Sequence, residues 1–147
     1  MIKITQNRSG CPISSSLEII GDTWSLLIIR DLFLQRTTFS EFMNSPEKIS
    51  SNILTNRLKK LLNFNLIEFH RDHKDKKVKK YFLTAAGIDL YPLIYNISIW
   101  SKKHLDIEYN NIAFDWFKEN FDKTPSQTIV DDVKTYENFK ESTLKNI

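Results

Sequence analysis

A polar-faced amphipathic helix that runs into a lysine-tipped hairpin, across residues 49–83, limits this chain more than any other feature. Ile53, Leu54, Leu58, Leu61 and Leu62 recur at helical spacing, so one stripe of the helix must face a core. Its other side carries Ser51, Asn52, Thr55, Asn56, Lys59 and Lys60, groups able to donate to phosphates or read base edges. Directly behind it, Leu66, Ile67, Phe69, Val78, Tyr81, Phe82 and Leu83 supply the β-branched and aromatic content of two strands. The intervening stretch from Asp72 to Lys77 contains no apolar residue and must be a solvated loop.

The rest of the chain can be placed around this unit. Residues 1–10 read as frayed, and a helix begins at Cys11-Pro12, since proline suits the first helical position. Leu17, Ile19 and Ile20 give that helix an apolar side, and Gly21 ends it. Asp22 or Thr23 caps a second helix from Trp24 to about Leu34, apolar on more than one face and therefore central, with Trp24 as a core anchor. Thr37-Thr38-Phe39 is enough for a minor third strand. Ser40 then caps a brief helix, and Asn44-Ser45-Pro46 is a turn. Ser50 or Ser51 caps the helix after that turn, which makes residues 40–63 a helix-turn-helix. Asn63-Phe64-Asn65 ends it, with Asn65 in the left-handed region.

After the hairpin, Thr84 caps a further helix that Pro92 kinks or restarts. Leu90, Leu93, Ile94, Ile97 and Trp100 make a stripe along it. We expect this stripe, with Leu17, to be a dimer contact. Beyond Asp106, Ile112, Phe114, Trp116, Phe117 and Phe121 mark a short aromatic helix. KTPSQ at 123–127 reads as a linker, and Ile129, Val133 and Tyr136 mark a weak, acidic last helix. The fold class expected is α+β: a mostly helical winged helix-turn-helix with a two- to three-stranded wing sheet. Residues 11–105 would form the DNA-binding and dimerisation domain, and 106–147 an acidic helical extension.

Charge distribution supports this reading. Net charge is only +3, but residues 57–80 hold nine Lys/Arg against three Asp/Glu, whereas 106–147 hold five against nine. Excess charge concentrated on the helix and hairpin is the footprint of a nucleic-acid contact. The start MIKITQNRSG has no apolar signal core, and runs such as LLII at 26–29 are far too short for a bilayer, so a cytoplasmic protein is expected. A single cysteine rules out an intrachain disulfide.

The chain resembles the HxlR-type winged-helix regulators of bacteria. The matching residues are CP at 11–12, GDTW at 21–24, LLIIRDL at 26–32, the Phe39 to Phe42 pattern F-x-E-F and IS at 49–50. They continue with LTNRLKKL at 54–61, NLI at 65–67, YFLTAAG at 81–87, LYPLI at 90–94 and Trp100. The resemblance implies a homodimer on an inverted-repeat operator in double-stranded DNA, joined through the first and post-wing helices. It also implies, for some members, sensing of electrophiles or oxidants by a cysteine at the position of Cys11. Asn65 in place of the usual glycine, Lys80 in place of a common acidic residue and the missing wing proline are departures that alter the wing, not the fold.

The DNA-binding set expected is therefore Ser51, Asn52, Thr55, Asn56 and Lys59 toward the groove, with Ser50 beside them at the start of the helix. Arg57, Lys60, Lys74, Lys76 and Lys77 would hold phosphates, although Arg57 has an inward alternative, bridging to the preceding helix. Cys11, at a helix N-terminus and near Arg8, is the redox-sensing candidate. The opposing reading is a small residue under the dimer interface. His70 and His73 lack helical register, the three glycines are isolated, and the serines at 14–16 have no neighbouring base. No metal, cofactor or catalysis is expected. A winged helix used only for protein contact, or a small ligand-binding protein with an aromatic pocket, are the rival readings.

Overall fold

The computed structural model describes residues 1–4 and 8–147. Its centre is α2 (Ser25–Phe33), whose Ile28, Ile29 and Leu32 are almost wholly removed from solvent. Asp22 starts this helix: Oδ1 accepts from the N–H of Trp24 and Ser25 at 3.0 and 2.9 Å, and Oδ2 accepts from Ser25 Oγ at 2.5 Å. Trp24 packs half-buried against the core. In front of it, α1 (Pro12–Ile20) closes on Gly21, whose N–H donates to the Leu17 carbonyl at 2.8 Å. A Cβ at Gly21 would stand 2.3 Å from that same oxygen, so only glycine fits the junction. The buried Asp31 carboxylate is neutralised by Arg30 and Arg36, each 2.8 Å away.

The short helix α3 (Phe39–Met43) is capped by Thr38 and not by the expected Ser40. Glu41 explains the difference. Its Oε2 accepts from the N–H of Thr38 at 2.8 Å while Thr38 Oγ1 accepts from the N–H of Glu41, a reciprocal box that Ser40 cannot form. Ser50 caps α4 (Ser51–Asn63) through the N–H of Ile53, and Asn65 takes φ 53°. The wing pairs β1 (Ile67–Arg71) antiparallel to β2 (Lys79–Leu83), with Ile67 opposite Leu83 and Arg71 opposite Lys79. The expected third strand is a single bridge, Thr38 to Lys80, beside a 2.7 Å bond from the Tyr81 N–H to the Thr37 carbonyl. Thr84 caps α5 (Ala85–Ile88), and the chain restarts at Pro92 in α6 (Tyr91–His104).

Two expectations about the ends are corrected. Ile2 and Ile4 pack against the core, so that part of the N-terminus is docked rather than frayed; residues 5–7 lie outside the described residues. KTPSQ is a helix start rather than a linker. Thr124 and Gln127 form a second capping box, Pro125 takes the first turn, and α8 (Pro125–Lys145) runs for 21 residues. Nor is this helix weak. Tyr136 is only 1% exposed, and its hydroxyl accepts the N–H of Leu83 at 2.7 Å. Lys140 Nζ donates to the Leu83 carbonyl and lies 2.7 Å from Glu68 of β1. The extension is thus clamped to the base of the wing. Between α6 and α8, α7 (Asn111–Glu119) is capped by Asn110, and Phe121, expected on its apolar side, lies beyond it and is 79% exposed.

Candidate nucleic-acid interface

Leu54, Leu58 and Leu61 point one side of α4 into the core, which forces the residues between them outward. Ser51, Asn52, Thr55, Asn56 and Lys59 are all exposed, and none of these side chains is bonded to another described residue. Ser50 is exposed too, but its hydroxyl is occupied in part as the cap. Five donors with no internal obligation along one helix face are available to an outside partner.

Arg57 and Lys60, expected to hold phosphates, are drawn inward. Arg57 Nε lies 2.9 Å and Lys60 Nζ 3.3 Å from the carboxylate of Asp22, at the start of α2. The inward alternative for Arg57 therefore describes it better, although its partner is α2's cap rather than the preceding helix. Burial disfavours the Asp22 anion, but Ser25 Oγ, the N–H groups of Trp24 and Ser25, and Lys60 outweigh it and hold the pKa at about 2. These two cations fix the orientation of α4 on the core instead of adding to its outer charge.

One residue to which the sequence alone assigns no role, Arg30, fixes the turn before α4. Arg30 reaches from α2 to Glu47 through two bonds, 2.6 and 3.0 Å, and to Ser45 Oγ at 3.2 Å. The Arg30 guanidinium holds the Glu47 carboxyl at about 2, against a smaller opposing effect of burial. Arg30 stands inside the LLIIRDL stretch, where a lone arginine among apolar residues was the available signal for a buried or bridging role.

In the wing, aspartates organise the backbone and leave the lysines out. Asp72 Oδ1 accepts the Lys74 N–H at 2.8 Å, Asp75 Oδ1 accepts the Lys77 N–H at 3.0 Å, and Arg71 donates to the Lys76 carbonyl. Lys80 pairs with Asp72 at 2.9 Å. The ammonium groups of Lys74, Lys76 and Lys77 pair with no described carboxylate, and all three residues are exposed.

Of the residues expected at a dimer contact, Leu17, Leu93, Ile97 and Trp100 are 56%, 39%, 47% and 57% exposed. Leu90 and Ile94 instead pack half-buried against the chain's own core. Ile13 at 70% and Ile99 at 38% join the exposed set without having been singled out. Cys11 is exposed at the start of α1, but Arg8 pairs with Glu18 at 2.9 Å rather than with the thiol. Among the described residues no group of His, Cys, Asp and Glu could hold a metal ion, and no helix is long and apolar enough to cross a membrane.

A capped helix-turn-helix backed by a two-stranded, lysine-tipped wing defines the winged helix-turn-helix class. The HxlR-like helix-turn-helix family model matches residues 19–109, and the chain belongs to that family. It is 33% identical over 99 residues, 66% of this chain and 76% of the relative, to the uncharacterised HTH-type transcriptional regulator YdeP of Bacillus subtilis. Among solved structures it is similar to PA1607, with 32% identity, a TM-score of 0.62, and coverage of 71% of this chain and 72% of that one. The reduced transcriptional regulator YodB of B. subtilis superposes with a TM-score of 0.56 at 27% identity, over 67% of this chain and 97% of YodB.

Proposed function

We propose that this DNA-binding transcription regulator acts as a homodimer on an inverted-repeat operator, with α4 in the major groove and the wing on the backbone. The observation that carries this is the row of exposed, internally unbonded donors from Ser51 to Lys59, followed in the chain by the exposed lysines of the wing tip. Asn52, Thr55, Asn56 and Lys59 are the groove contacts in this reading. Ser50 and Ser51 sit at the N-terminus of α4, where a hydroxyl and free N–H groups suit a phosphate. The exposed faces of α1 and α6, from Leu17, Leu93, Ile97 and Trp100, form the contact between copies.

Hydroxyl-radical footprinting on the DNA flanking the gene tests the arrangement. A two-fold dimer protects two half-sites whose centres are about 34 Å apart, or a multiple of one duplex turn. Protection of one isolated half-site at saturation would rule the dimeric mode out.

A further inference from the structure

Both α7 and α8 lie wholly beyond the residues matched by the family, and with α2 and α6 they enclose something of their own. The cavity there measures about 530 Å³, within the range of roughly 300–1,000 Å³ usual for small-molecule sites. Its walls are largely apolar and aromatic, with Leu27, Phe33, Tyr95, Ile112, Trp116 and Phe117 among them. One carboxylate, that of Asp132 on α8, stands among the rings. Its Oδ2 accepts from the Tyr91 hydroxyl and, at 2.8 Å, from Trp116 Nε1–H, while Oδ1 accepts from no described residue.

Both arginines of the cavity lining are matched, and the charges left unmatched are negative. Arg30 is bonded to Glu47 and Asp31, and Arg36 to Asp31. No lysine, arginine or histidine among the described residues pairs with Asp132; Lys123 goes to its neighbour Asp131. Glu108, the remaining carboxylate of the lining, adds to the negative excess. Burial, and then the Asp132 carboxylate, push the Tyr91 hydroxyl far above its usual range, so it stays a neutral donor. A partly enclosed carboxylate without a counter-ion, set among aromatic rings, attracts a cation through both the charge and the ring quadrupoles. Phe117 already has Lys102 Nζ 4.6 Å from its ring centre.

We propose that this cavity binds a lipophilic organic cation, a quaternary ammonium, phosphonium or protonated aromatic amine, held by Asp132 beside Tyr95 and Trp116. An anionic or neutral ligand of the same shape would leave the carboxylate uncompensated. A clip between α6, α7 and α8 would account for the two hydrogen bonds to Asp132, but not for the open volume beside them. Because α6 also carries the exposed Leu93, Ile97 and Trp100, occupation of the cavity is placed to alter the dimer. That coupling, unlike the binding itself, rests on the regulator reading.

Tryptophan fluorescence of the full chain, titrated with tetraphenylphosphonium and separately with tetraphenylborate, separates charge from shape. The expected result is saturable quenching by the cation, with binding of the borate at least ~10-fold weaker. Asp132→Asn keeps an acceptor for Tyr91 and Trp116 but removes the charge, and should weaken the phosphonium by ~10-fold or more. Ala113→Phe, which fills the cavity from α7, should abolish saturable quenching while leaving Asp132 in place. Equal binding of the two ions, an unaltered Asp132→Asn titration in a variant that melts cooperatively, or absence of saturable quenching would overturn the proposal. Operator binding is then measured with and without the phosphonium. If the cation binds but operator affinity stays the same, the coupling fails and the site stands.

Discussion

Replacing Lys76 and Lys77 together with glutamate is expected to lower operator affinity by roughly a thousandfold near 0.1 M salt. The reasoning is a count of cations that are free to leave their own protein. With Arg57 and Lys60 committed to Asp22, the named cations left per protomer are Lys59, Lys74, Lys76 and Lys77. A dimer then neutralises about eight phosphates, and log affinity should fall against log salt with a slope of about −7. The double substitution removes half of those contacts and should flatten the slope to about −4. Both lysines are exposed and the turn is held by Asp72 and Asp75, so the melting temperature should barely change. A salt titration by fluorescence anisotropy reads both quantities. An unchanged slope in the variant would mean that the wing tip never reaches the backbone.

The other large effect concerns stability. Tyr136→Phe removes the acceptor of the Leu83 N–H and leaves that buried donor empty, which costs about 1–3 kcal/mol. Near 150 residues this lowers the melting temperature by roughly 3–9 °C. Tyr136→Ala adds a cavity beside Phe33, whose ring centre is 5.1 Å from that of Tyr136, for a total loss of about 4–7 kcal/mol. Since Leu83 ends β2, the wing is loosened along with α8, and operator affinity should fall in Tyr136→Ala even though Tyr136 is not among the proposed DNA contacts. Thermal melts checked by near-UV circular dichroism give the result. If both variants melt within about 1 °C of the parent, α8 is not docked as described.

Much of this architecture could be read from the chain because its causes are local. The leucine stripe of α4, the Ser50 cap, the left-handed Asn65 and the polar tip between two β-rich runs each depend on residues within a few positions of one another. Two further signals are equally local, Thr38 with Glu41 and Thr124 with Gln127, both capping boxes spelled out in the sequence. What the chain hid is long-range. Tyr136 finds Leu83 across 53 positions, and Lys60 finds Asp22 across 38. A lysine on a polar helix face looks the same whether it meets solvent or a distant carboxylate. The division of the post-wing stripe, with Leu90 and Ile94 turned inward and Leu93, Ile97 and Trp100 outward, likewise depends on what packs against it.

Site-specific photo-crosslinking puts the central claim to its most direct test. A photoreactive amino acid is placed at the position of Asn56 on α4, of Lys76 in the wing, and of Asp122 and Glu137 on the extension; all four are exposed. With operator DNA bound, positions 56 and 76 should yield protein–DNA adducts, and positions 122 and 137 none. Adducts from the extension with none from 56 and 76 would show that DNA lies on another face, and the assignment of α4 and the wing would be wrong.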